Sequence, residues 1–322
     1  MLQIRRILHP TDFSTGARAA LGHALHLARR HDAVLHVLHV IPTFGSDPLR
    51  GAFDASLDEA AFYRRLREAA DVQIDAALGA FDTTGVVVER VSSRGNAPAP
   101  VILDYARDER MDLIVMGTHG RRGFRDMLLG SVTQEVVRRA YCPILTVRTP
   151  AGDGVPEVKV GRVLAPVDFS DSSREAVRCA KALAALYEAP LDLLHVVGVP
   201  RNPELYDQSF PLFDQVKENA VAASMQGLRQ LAEETDGPPV ATVCHVRTGY
   251  PAREIVTFAE SRPAGLVVMA THGLTGLQHF LFGSVSEKVV QRAPCPVFVV
   301  RSFGHSLLPE PSAPARADEE KA

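Results

Sequence analysis

The 322-residue chain carries one pattern twice, and that duplication constrains its fold more than any single motif. Ile7-Leu8-His9-Pro10-Thr11-Asp12-Phe13-Ser14 returns as Val163-Leu164-Ala165-Pro166-Val167-Asp168-Phe169-Ser170, 156 residues on. Ile114-Val115-Met116-Gly117-Thr118-His119-Gly120 returns as Val267-Val268-Met269-Ala270-Thr271-His272-Gly273, now 153 residues on. Leu129-Gly130-Ser131-Val132 and Cys142-Pro143 return at that same offset as Phe282-Gly283-Ser284-Val285 and Cys295-Pro296. Two homologous domains of about 150 residues follow. They are expected at 1–148 and 160–302, around a Pro- and Gly-rich linker at 149–159. The tail 303–322, with Pro309, Pro311 and Pro314, is expected to stay unpacked and disordered.

Inside each repeat, short apolar runs alternate with helical periodicity. In the first, strands are expected near Arg6–His9, Val34–Val40, Val86–Val91, Leu113–Met116 and Ile144–Val147. Helices are expected after the N-cap residue Ser14, over Leu57–Leu78 and Ala99–Arg107, and from Ser131. The second repeat reads alike, with strands near Val163, Leu193, Val243, Val267 and Phe298. Continuously apolar strands alternating with helices predict an α/β fold: two Rossmann-like, doubly wound domains, each with a five-stranded parallel sheet covered on both faces.

Composition removes several classes of function. Lys plus Arg number 35 and Asp plus Glu 38, so the net charge of −3 offers no excess of cations for nucleic-acid phosphates. Four dispersed cysteines make neither a disulfide scaffold nor a C-x-x-C site, pointing to a reducing, cytoplasmic setting. The first ten residues lack the apolar core of a signal peptide and no run reaches membrane-span length, so neither export nor a membrane partner is expected. Phosphate-loop, G-x-G-x-x-G and G-x-S-x-G motifs are missing, and no nucleophile with its base is recognisable, so no catalytic residue is assigned. Histidines supply no metal site. His36 and His39 fall on opposite faces of one strand, and His23 with His26 lacks a further ligand. His119 and His272 read as loop residues near phosphate rather than general bases. Cys142 and Cys295 read as buried apolar residues.

Ligands of doubly wound sheets bind beyond the carboxyl ends of the strands, where strand order reverses. Strand one ends there in Pro10-Thr11-Asp12, and strand four in Gly117-Thr118-His119-Gly120. Nine residues after Gly120, Gly130-Ser131 opens a helix. Glycines admit a ligand close to the backbone, and the amides of Gly130, Ser131 and Val132 at a helix N-terminus attract phosphate oxygens. Asp12 and Asp168 have a plainer role open to them, as caps of the following helix.

These residues, together with the G-x-x-G-nine-G-S spacing, resemble the ATP-binding branch of the universal stress protein family, over about 1–148 and 160–301. The resemblance implies strand order 3-2-1-4-5, an adenine nucleotide as ligand, a Mg²⁺ ion with its phosphates, and pairing of domains through their fifth strands. Carried over, Asp12 contacts the adenosine portion and Val40 offers backbone groups to the adenine edge. Gly117, Gly120, Gly130, Ser131 and Val132 hold ribose and phosphates, with Pro10, Thr11 and Met116 completing the set. In the second repeat Asp168, Val196, Gly273, Gly283, Ser284 and Val285 match, but Ala270 replaces the first glycine, and its methyl either crowds the nucleotide or points into the sheet top. The loop of the first repeat holds Arg121, Arg122 and Arg125, whereas Leu274 to Phe282 is uncharged, so a stronger first site is expected.

The reading is therefore a cytoplasmic, ATP-binding regulator of the stress response. Its alternatives are an interaction protein acting through strand-edge dimerisation and the segment Pro42 to Ser56, and a slow ATPase. The two fifth strands of one chain are expected to cover each other as an intramolecular pseudo-dimer, with a homodimer of such chains left open.

Overall fold

The computed structural model describes residues 2–43, 59–118, 129–148, 158–199, 211–271, 283–301 and 304–308. Domain 1 runs β1 (Arg6–Pro10), α1 (Thr15–His31), β2 (Val34–Pro42), α2 (Glu59–Leu78), β3 (Val88–Gly95), α3 (Pro98–Asp108), β4 (Leu113–Gly117), α4 (Ser131–Arg139) and β5 (Ile144–Val147). Domain 2 repeats the series as β6 (Val163–Val167), α5 (Asp171–Leu186), β7 (Leu191–Gly198), α6 (Pro211–Glu234), β8 (Thr242–Gly249), α7 (Pro251–Ser261), β9 (Leu266–Ala270), α8 (Ser284–Arg292) and β10 (Val297–Val300). Strand β3 lies later than the apolar run Val86–Val91 suggests. It pairs with β2 as far as Pro42↔Gly95, through the polar residues Ser92, Ser93 and Arg94. An edge strand is held by ladder bonds on one side, so its polar half leaves no hydrophobic signal.

Helix α1 begins where a serine can cap it: Ser14 Oγ accepts the Ala17 N–H at 3.2 Å. Its small apolar stripe, Ala17, Leu21, Ala24, Leu25 and Ala28, is buried against the sheet. Strand order is β3-β2-β1-β4-β5-β10-β9-β6-β7-β8, one ten-stranded sheet in which every described pairing is parallel except β5 with β10. Side chains alternate between two cores. Ile7, Val37, Val115 and Val268 face α1, α2, α5 and α6, while Leu8, Leu38, Ile114 and Met269 face α3, α4, α7 and α8. Both cores run unbroken from one domain into the other.

At the junction Val297, Phe298 and Val299 pair antiparallel with Thr146, Leu145 and Ile144, and Phe298 is fully buried. Each fifth strand is followed by an arginine that crosses the pseudo-twofold axis. Arg148 Nη1 donates to the Ala293 carbonyl at the end of α8 (3.2 Å). Arg301 donates from Nη1 to Val137 O (2.8 Å) and from Nη2 to Arg138 O (3.1 Å) at the end of α4. Guanidinium groups there satisfy orphan carbonyls and complement the negative ends of the helix dipoles. Gln134 on α4 also donates to Glu287 on α8 at 2.7 Å.

The expectation of an unpacked tail fails for residues 304–308. Leu307 is buried in the core shared by α1 and α5, and its carbonyl accepts the Gln3 N–H at 2.7 Å. The His305 N–H donates to Tyr141 O (2.9 Å), His305 Nε2 meets Asp112 at 2.8 Å, and Ser306 Oγ donates to Glu175 at 3.0 Å. Gly304, with φ +110°, lies against the Tyr141 carbonyl, where a Cβ would collide. One leucine delivered to a seam between domains suffices to pack the segment, a gain that average composition does not register. The remainder of that tail, 309–322, lies outside the described residues, as do most of the linker and residues 44–58. Among the described residues no helix is long and apolar enough to cross a membrane. Leu307→Ala should lower the unfolding free energy by about 2–4 kcal/mol in urea titration; a change below about 0.5 kcal/mol would mean the segment contributes no packing.

Candidate functional site

The ends of β1, β2 and β4 and the start of α4 converge at the carboxyl edge of domain 1, on either side of the reversal in strand order. Pro10 closes β1, and the chain then turns sharply. Asp12 Oδ1 accepts the Ser14 N–H at 3.0 Å and Thr11 Oγ1 accepts the Phe13 N–H at 3.1 Å. Between them Phe13 takes φ 63°, a left-handed conformation that costs a non-glycine residue roughly 1–2 kcal/mol. Asp12 is thus not the cap of α1. Ser14 fills that role, and Asp12 folds the turn two residues earlier.

Histidine 39 anchors this turn from β2. Its Nδ1–H donates to the Thr11 carbonyl at 2.9 Å, and its ring lies 4.6 Å from that of Phe13. The Thr11 N–H donates to Leu38 O at 2.8 Å, so both backbone groups of Thr11 are tied to β2. Domain 2 repeats the arrangement. His195 Nδ1 donates to Val167 O at 2.7 Å, Phe169 sits at φ 65° with its ring 4.7 Å from His195, and Asp168 Oδ1 accepts from Ser170 N–H at 3.1 Å. Sequence reasoning weighed His39 only as half of a metal pair. His36 indeed points away from it, donating or accepting at Tyr105 Oη across the opposite face (2.8 Å). The usable signal was that His39 recurs as His195 at the same 156-residue offset as the aspartates.

Val40 is positioned by alternation along β2. Leu38 turns its carbonyl toward β1, whereas the Leu35 and Thr43 amides turn toward β3. The backbone groups of Val40 therefore face the β1 side, two residues beyond the last β1 pairing, Pro10↔Leu38. Val196 stands likewise beyond Val167↔His195 on β7.

The other wall is the start of α4. Gly130 is its N-cap, with no side chain bonding the first turn. The first intrahelical bond is Gln134 N–H to Gly130 O, which leaves the amides of Ser131, Val132 and Thr133 at the opening, at the positive end of the helix dipole. The expected role of the Gly130 amide is corrected: it donates to Thr118 O at 2.8 Å and is spent on the fold. Thr133 Oγ1 donates to Gly117 O at 2.8 Å, so the helix start is bolted twice to the end of β4. In domain 2, Gly283 N–H donates to Thr271 O (2.9 Å) and Ser286 Oγ to Ala270 O (2.8 Å), presenting Ser284 and Val285 in the same way.

Two further residues of the set have a packing role. Met116 is buried in the α3–α4 core, so its side chain is packing. A Cβ on Gly117 would stand 2.8 Å from the Gly16 carbonyl oxygen, so this glycine lets α1 close onto β4. Ala270 turns its methyl into the corresponding core beside α5. The alanine therefore points into the sheet top and leaves the crevice uncrowded. Gly120, Gly273, Arg121, Arg122 and Arg125, and with them the difference in loop charge, lie outside the described residues. Burial pushes the Cys142 and Cys295 thiols up to about 12, consistent with small buried side chains.

Two doubly wound α/β domains joined edge to edge, each opposing an aspartate turn to a glycine-capped helix start, define the class of this protein. The family model of the Universal stress protein family matches residues 3–148 and 159–301. The chain belongs to that family, as a tandem member with two such domains. It is similar to a universal stress protein of Methanocaldococcus jannaschii, 36% identical over 141 residues, covering 44% of this chain and 81% of that protein. It is also similar to one of Mycobacterium bovis, 32% identical over 225 residues, covering 70% and 72%. The solved structure of a universal stress protein from Archaeoglobus fulgidus shares the fold, with TM-score 0.58 at 24% identity, covering 92% of this chain and 98% of that one.

Beside the crevice, His9 is fully buried, with Nδ1 donating to Val115 O at 2.9 Å and burial lowering its pKa from 6.5 to about 4. The native ring is neutral, while the unfolded chain takes up a proton near pH 6.5. Stability is therefore full above that pH and is lost as pH falls from 6.5 toward 4. At pH 5 the loss is about 2 kcal/mol. His9→Ala, which places there the residue domain 2 carries as Ala165, should shrink the difference in unfolding free energy between pH 7.5 and pH 5 by about that amount; an unaltered pH dependence would show that His9 ionises freely.

Proposed function

We propose that this chain is a cytoplasmic regulatory protein of the stress response that binds an adenine nucleotide, ATP with Mg²⁺, at the carboxyl edge of the domain 1 sheet, with a second site of the same design in domain 2. The observation that carries the reading is the amide-lined start of α4, bolted to β4 opposite the Asp12 turn, and its repetition at α8 and Asp168. Amide donors at a positive dipole end suit a polyphosphate. Asp12 offers an acceptor to ribose or base, and the outward-turned backbone of Val40 suits an adenine edge. Mg²⁺, when bound with ATP, neutralises phosphate charge. It is a hard cation commonly held by phosphate oxygens and few protein ligands, and among the described residues no three His, Cys, Asp or Glu side chains gather to hold a metal unaided. The role is read as regulatory rather than metabolic. Occupancy acts by favouring one conformation or docking state over another.

Protein purified rapidly and denatured should release adenine nucleotide near one equivalent per chain or above, read by mass spectrometry. Release of none, together with no heat of binding for millimolar Mg-ATP, would favour an interaction protein with empty crevices. Ser131→Glu and Ser284→Glu set a carboxylate at each helix start, where it suits the dipole but repels phosphate. Each should keep the fold, and in calorimetric titration Ser131→Glu should remove the tighter ATP site and Ser284→Glu the weaker; equal losses would abolish the proposed ranking of the sites.

A further inference from the structure

We infer that His39 in domain 1, and His195 in domain 2, are positioning residues of the nucleotide crevice, holding Asp12 and Asp168 where a nucleoside can be read. The inference rests on the nucleotide reading above and deepens it. The crevice aspartate stands on a turn that disfavours itself, since the next residue, Phe13 or Phe169, is a bulky side chain at positive φ. Such a conformation persists only where its surroundings over-determine it. Within the turn the bonds are short-range: Asp12 Oδ1 to Ser14 N–H and Thr11 Oγ1 to Phe13 N–H. From outside the turn, β2 gives the backbone bond of Thr11 N–H to Leu38 O and, from one imidazole, two side-chain contacts that flank the aspartate. His39 Nδ1 holds the carbonyl of the residue before the aspartate, and its ring lies against the phenylalanine after it. The aspartate is clamped between them.

Domain 2 isolates what the clamp requires. There Val167 replaces Thr11, so the hydroxyl acceptor of the Phe13 amide is gone, and Ser170 Oγ instead donates to Asp168 Oδ1 at 2.6 Å. One internal bond of the turn has been exchanged, while the bond from the Ser170 N–H to Asp168 Oδ1 and the histidine contacts are kept, the latter at 2.7 Å to the carbonyl and 4.7 Å between rings. A carbonyl only accepts, so Nδ1 carries the hydrogen in both domains. The described contacts of the imidazole lie at the aspartate turn, which places its influence at the nucleoside end of a ligand.

The test compares His39→Leu/His195→Leu with His39→Asn/His195→Asn. Leu and Asn have similar size and branching, but Asn keeps an N–H donor near the place of Nδ1. Titration calorimetry with ATP, adenosine and inorganic tripolyphosphate should give dissociation constants for ATP and adenosine about tenfold higher in the Leu variant, and within about threefold of the original chain in the Asn variant. Tripolyphosphate should bind alike throughout. Adding the Leu pair to Asp12→Asn/Asp168→Asn should weaken adenosine no further, because both act through one carboxylate. If the unaltered chain binds ATP but the Leu variant binds adenosine equally well, the positioning role is wrong and the nucleotide reading stands. Equal loss of adenosine and tripolyphosphate, or unfolding of both variants alike, would overturn the inference in favour of general packing. If the unaltered chain binds none of the three, the nucleotide reading itself fails first.

Discussion

The antiparallel pairing of β5 with β10 is the contact on which the rest of the molecule depends. A five-stranded doubly wound domain leaves its fifth strand with one row of unpaired amides and carbonyls, and buried polar groups of that kind have to find partners. Here each domain supplies the partner for the other, so two sheets become one and both hydrophobic cores become continuous. Neither β5 nor β10 is then an edge, since each lies between two strands. Among the described residues β3 and β8 terminate the sheet.

Other contacts follow from that junction. The chain leaves β5 and β10 pointing at the opposite domain, which is why Arg148 and Arg301 reach the carboxyl ends of α8 and α4. The same direction carries residues 304–308 to Gln3, Asp112 and Tyr141 of domain 1 and to Glu175 of domain 2. Leu307 then fills a place in the shared core. Duplication in one chain makes this economical, because the two halves are always present at matched concentration and close range.

The crevices are built from rigid parts at both ends. On one side a helix start is bolted to a strand by a backbone and a hydroxyl bond. On the other a disfavoured turn is clamped by a histidine from the neighbouring strand. At Gly117 and Ala270 the side-chain direction is toward α1 or α5 rather than into the crevice, so the difference between the domains there concerns helix packing, Gly117 admitting the Gly16 backbone, and both present the same backbone donors. Preorganised donors of this kind need little rearrangement when an anion arrives, which is how main-chain amides come to recognise phosphate at all.

Much of this was legible in the sequence, for reasons that are local or repetitive. Alternating apolar runs and helical stripes specify strands and helices, Ser14 marks a helix start, and the repeat multiplies each signal by two. The repeat also singled out Asp12, Gly130 and Ser131, because chemistry-bearing residues returned at fixed spacing. Tertiary structure decided what depends on partners distant in the chain. That β3 runs through Ser92 and Ser93, that the Gly130 amide is consumed by Thr118, and that Leu307 is core are all consequences of neighbours about 12 to 300 residues away. His39 shows the division most clearly: its recurrence as His195 was visible in the chain, but a histidine on a strand can face a metal, a core or a turn. Only the parallel register of β1 against β2, which sets His39 beside the Thr11 carbonyl, selects among them, since direction in space is a property of packing and not of order along the chain.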